Sequence, residues 1–74
     1  MTEQVRYAIV IERAGSNYSA YVPDLPGCVA TAHTVENVEA LIKEAIEFHL
    51  DGMREDGLKI AEPSSTVEYV VVHA

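Results

Sequence analysis

The sequence predicts an α+β domain of order βββαβ. Three observations carry this: alternating apolar residues near the start, a double-proline turn between two β-prone runs, and a threonine-capped amphipathic helix followed by a β-branched run. Val5, Tyr7, Ile9 and Ile11 alternate with Arg6, Ala8, Val10 and Glu12, the period of two that marks a half-buried strand over 5–11. The small residues Ala14-Gly15-Ser16-Asn17 predict a hairpin connection, and 18–22 returns as a second strand. Pro23 and Pro26 each lack an amide donor, so the ladder must stop at Pro23 and resume only near Cys28, giving a third strand over 28–32.

Thr34 is a good N-cap, and Glu36 in the first turn complements the helix dipole. Val35, Val38, Leu41, Ile42, Ala45, Ile46, His49 and Met53 then recur at helical spacing on one face, opposite Glu36, Lys43, Glu44, Glu47, Asp51 and Arg54. Gly57 reads as the C′ residue closing the helix. Pro63 and Ser64-Ser65 mark a connection, and 66–73 has the β-branched density of a final strand. One helix covers one face of such a sheet. Ala8, Val10, Val70 and Val72 fall on the uncovered side and are the candidate interface for self-association.

Composition narrows the function classes. A chain of 74 residues reads as one domain, 1–74, which buries only about 60% of its extended surface and gains from association. No apolar run approaches the roughly 18 residues of a membrane span, and the start Met1-Thr2-Glu3-Gln4 lacks a secretory pattern, so no membrane association and a cytoplasmic location are expected. The single Cys28 makes no internal disulfide and no cysteine-rich metal site. Twelve acidic against five basic residues, a net charge of −7, disfavour direct nucleic-acid binding and suit a basic protein surface.

The search for chemistry returns little. Cys28 and His33 are an odd number of positions apart and point to opposite faces of a strand, which spoils a nucleophile–base pair. His49 has no second ligand at i±3 or i±4, where Ala45, Ile46, Gly52 and Met53 stand, and His73 lies beside the C-terminus. Glu44, Glu47 and Asp51 could attract Mg²⁺, but the first strand supplies no converging carboxylate, and the glycines show no phosphate-cradling spacing. No catalytic residue, metal or cofactor is therefore expected.

The double-proline loop is either a stiff connector or a preorganised recognition loop, with Leu25 either an exposed anchor or a plug in the core. Tyr18 and Tyr21 lie on opposite faces, so one is core and the other an interface candidate.

YVPDLPGC, followed by a threonine-capped helix and EAIEFHLDGMREDG, is similar to the HicB family of antitoxins over nearly the whole chain. The resemblance implies a partial ribonuclease-H-like fold: a three-stranded antiparallel meander, one long helix and a final strand, without the nuclease's catalytic carboxylates. It also implies a partner, a small basic HicA-like toxin that cleaves mRNA, which the antitoxin neutralises by occlusion without being an enzyme itself. On that reading Tyr21, Asp24, Leu25, Pro26, Glu44, Glu47, Asp51 and Glu55 form the partner surface, and the chain is a homodimer or higher homo-oligomer. The resemblance is to the N-terminal HicB-like domain alone, so operator binding is not expected from this chain. The competing expectations are an orphan HicB-like interaction or small-ligand domain with no toxin, and a hydrolase using Cys28 or His49.

Overall fold

The computed structural model describes residues 4–74, so the polar start Met1-Thr2-Glu3 lies outside the described residues. Strands β1 (Val10–Ala14), β2 (Asn17–Tyr21) and β3 (Val29–Ala32) precede helix α1 (Val35–Glu55). The strands form an antiparallel meander in the order β1-β2-β3, which agrees with the expected α+β arrangement of three strands and a helix.

Each connection follows from local chemistry. Ala14 pairs with Asn17, leaving Gly15-Ser16 as a two-residue hairpin loop. Gly15 has φ 63° while Ser16 stays at negative φ, the pattern of a type II′ turn whose twist matches the flanking strands. Between β2 and β3 the chain makes two successive turns that share Leu25. The Leu25 amide donates to the Val22 carbonyl across Pro23-Asp24 at 3.1 Å, and the Cys28 amide donates to the Leu25 carbonyl across Pro26-Gly27 at 3.1 Å. Pro26 presets the first turn position, and Gly27, at φ 85°, takes the left-handed second position of a type II turn. The Val22 amide closes the loop on the Cys28 carbonyl at 3.2 Å.

The Thr34 hydroxyl accepts from the Asn37 amide at 3.1 Å and starts α1. The helix ends in a Schellman motif: the Gly57 amide donates to the Arg54 carbonyl and the Leu58 amide to the Met53 carbonyl.

Register sorts the side chains by face. Ile11, Ala20 and Ala30 form a cross-strand row beneath the helix, whereas Val10, Tyr21 and Val29 form the adjacent row on the outer side. The core joins Ala20, Val22, Leu25 and Cys28 to Val38 and Ile42, with Tyr7, Ile9, Ile11 and Tyr18 packed at its margin. Leu50 is buried as well, and no polar side chain is buried among the described residues. Helix α1 sits over β3 and β2.

Two expectations about strands are corrected. The ladder begins at Val10 rather than Val5, because β2 gives out at Tyr21 ahead of Pro23 and leaves residues 5–9 with nothing to pair. Residues 66–73 form no strand, since no strand among the described residues lies alongside them; Val70 is 82% and Val72 75% exposed. On the helix, Leu41 and Val35 stand at the rim of the packed face, with 43% and 37% exposure, instead of inside it.

Candidate interaction surfaces

The clearest surface runs along α1, on the side away from the sheet. At 3.6 residues per turn, Glu44, Glu47, Asp51 and Glu55 fall within an arc of about 80°. All four are exposed. The stripe has two unlike borders. Toward β1 lie Lys43 and Arg54, and the Arg54 guanidinium pairs with Asp51 at 3.1 Å. Toward β3 lie Leu41 and Phe48.

Phe48 is 83% exposed in the middle of a folded helix, with Glu44 one turn before it and Asp51 one turn after. Below its ring a shallow groove is lined by Cys28, Val29, His49 and Leu58. Sequence reasoning passed over Phe48 because it belongs neither to the packed face nor to the charged one. The available signal was a lone phenylalanine between acidic residues at helical spacing.

The double-proline loop does not present the surface expected of it. Leu25 is 2% exposed and ranks with Ile42 and Val38 among the largest fully buried side chains, so the exposed-anchor reading is corrected: the two turns that share Leu25 aim it inward. Asp24 is turned onto the chain itself. Its carboxylate accepts from the Ser64 and Ser65 amides at 3.0 and 3.1 Å and from both hydroxyls at 2.9 Å. The Tyr7 phenol donates to the Ala61 carbonyl, fastening the same connector, and burial, then the charge of Asp24, push that phenol above its ordinary pKa.

The Ser64 amide bond first, then the other three, hold the Asp24 carboxyl down at about 2 from its ordinary 3.8. Because the folded value is depressed, the clasp is at full strength above the unfolded pKa and is lost as pH falls toward the folded one. In an acid titration followed by NMR, the Asp24 carboxyl carbon should move with a midpoint near 2, and the Ser64 and Ser65 amide resonances with it. A midpoint near 4 would mean that the clasp does not form in solution.

Other residues singled out by sequence lie apart. Tyr21 is 41% exposed on the outer sheet face, between Val10 and Val29 and on the opposite side of the sheet from the acidic stripe. Ala8 and Val10 share that outer parity, and Pro26 is exposed on its loop. The eight residues expected to contact a partner therefore divide among the helix stripe, the sheet face, the exposed loop position of Pro26, the core and an internal clasp. Burial raises the pKa of the Cys28 thiol, which stays protonated near neutral pH and is a poor nucleophile. Cys28 and His33 line different grooves, and no three His, Cys, Asp or Glu side chains cluster as a metal site among the described residues. None of the described helices is long and apolar enough to cross a membrane.

A meander with a capped helix, a sealed double-turn loop and an acidic stripe on that helix defines a small α+β domain. The family model for HicB_like antitoxins of bacterial toxin-antitoxin systems matches residues 7–73, and the chain belongs to that family. Curated relatives include an uncharacterized 14.9 kDa protein from the rep-hol intergenic region of Haemophilus phage HP1, 36% identical over 86% of this chain. A UPF0150 protein of Helicobacter pylori is 38% identical over 78% of the chain and 81% of its own length. Another, from Thermoplasma acidophilum, is 31% identical over 95% of the chain and all of its own length. The chain spans 48% of the phage relative's length. No solved structure matches significantly.

Proposed function

We propose that the chain neutralises a small basic HicA-like, RNA-cleaving toxin, acting without catalysis by lying over the cationic groove with which the toxin holds RNA. The observation that carries the reading is Phe48 standing exposed beside Glu44, Asp51 and Glu55 on one helix of an antitoxin-family domain. Carboxylates along the stripe offer partners to arginine and lysine, and the Phe48 ring offers those cations an aromatic face. An interface needs such an apolar anchor, because exposed charge pairs steer association more than they hold it. The net charge of −7 favours approach of a basic protein and opposes RNA, so the toxin's own substrate is excluded when the antitoxin is seated.

The test is an RNA-cleavage assay with a purified small basic HicA-like ribonuclease. Adding the chain in slight molar excess should abolish cleavage, and the two proteins should elute together at low salt. Cleavage that continues at saturating antitoxin would refute occlusion.

A further inference from the structure

We propose that residues 66–73 are a strand held by a second copy of this chain, each copy laying its C-terminal segment along the open β1 edge of the other. The segment Thr-Val-Glu-Tyr-Val-Val-Val-His is dominated by β-branched and aromatic residues and contains neither glycine nor proline. Within one chain neither of its faces is covered: Tyr69, Val70, Val71 and Val72 are 92, 82, 88 and 75% exposed in succession. The radius of gyration is 14.1 Å, against about 11 Å for a compact chain of this length. The longest dimension, 48 Å, exceeds the other two, 26 and 22 Å, by about the length of eight extended residues at roughly 3.3 Å each.

The acceptor lies on the same molecule. Residues 4–9 make no backbone hydrogen bond to any other described residue, although Tyr7 and Ile9 pack inward. Because α1 stands over β2 and β3, the space beside β1 is left as a groove, with Val5, Tyr7 and Ile9 on one wall and Ile42, Ile46 and Leu50 on the other. A strand added along residues 5–11 would supply the missing backbone partners, and every second residue of it would roof the groove. The donor starts at that edge: Asp24 fixes Ser64 and Ser65, and residues 65–67 pass beside Arg6, Tyr7 and Ala8 before the segment leaves the body of the domain.

A second copy is the occupant that uses both halves. Reciprocal exchange consumes one donor and one acceptor on each chain and closes at two. Charge agrees with this. In a chain of net charge −7, residues 5–11 carry only Arg6 and residues 66–72 only Glu68, so the two segments meet with opposite single charges and little repulsion. A basic toxin would call for an acidic segment instead.

Sedimentation equilibrium should give twice the 8.1 kDa chain mass. Hydrogen exchange should show slow amides in both 5–11 and 67–72. Val71→Pro, which removes one ladder donor, should halve the mass and release both sets of amides while the helical circular dichroism persists; Val70→Glu provides an independent second variant. Four results would overturn the proposal: a single-chain mass at every concentration, protection of these amides within a single-chain species, a dimer indifferent to both variants, or protection that arises only when the basic toxin is added.

Discussion

Leu25→Ala is expected to destabilise the isolated chain by about 2–5 kcal/mol, the range for emptying a buried leucine site. The side chain is 2% exposed and meets the core formed by Val22, Cys28, Val38 and Ile42. Both turns that hold it depend on backbone bonds made by its amide and carbonyl, and alanine keeps these. The loop therefore has little freedom to collapse into the vacated space, which pushes the cost toward the upper part of the range. Small domains have about 5–15 kcal/mol in total, so the loss is comparable with the whole. Each kcal/mol is worth about 4–8 °C in a domain of this size. A thermal melt should fall by more than about 10 °C on that scale, while Leu25→Met, which keeps the volume, should cost less than about 1.5 kcal/mol. An unchanged melt for Leu25→Ala would place the side chain outside the core.

Phe48→Ala should leave the melt nearly unchanged and weaken toxin binding by about 2 kcal/mol or more, roughly thirtyfold. The two effects separate because the ring is 83% exposed and contributes almost nothing to folding. Its loss should appear mainly in the dissociation rate. Reversal of Glu44 and Glu55 to lysine should instead slow association and flatten its dependence on salt. Surface plasmon resonance at two ionic strengths distinguishes these outcomes, and wild-type kinetics for Phe48→Ala would remove that flank from the toxin interface.

The sequence was most informative where a residue acts on its own backbone. Gly15, Pro23, Pro26, Gly27, Thr34 and Gly57 each set a local conformation, and the hairpin, the double turn and both helix ends stand where those residues require. Legibility failed where a structure needs a partner distant in sequence. Residues 5–9 and 66–73 have strand composition, but composition cannot state whether a neighbour is present, and among the described residues of one chain none is. Leu25 was undecidable for the same reason, since inward and outward poses of a turn residue differ only in what stands opposite. The acidic stripe was readable from helical spacing alone. Asp24 was not: its partners Ser64 and Ser65 are about forty residues away, and only the fold brings them together.

The meander order places each element against the one made just before it: β2 on β1, β3 on β2, and α1 on β3. Such nearest-in-sequence assembly closes only short loops, so little chain entropy has to be surrendered before packing begins, and collapse should be rapid. The buried cluster, Ala20 to Ile42, lies wholly within the meander and the helix, so its assembly waits on nothing downstream of Leu50.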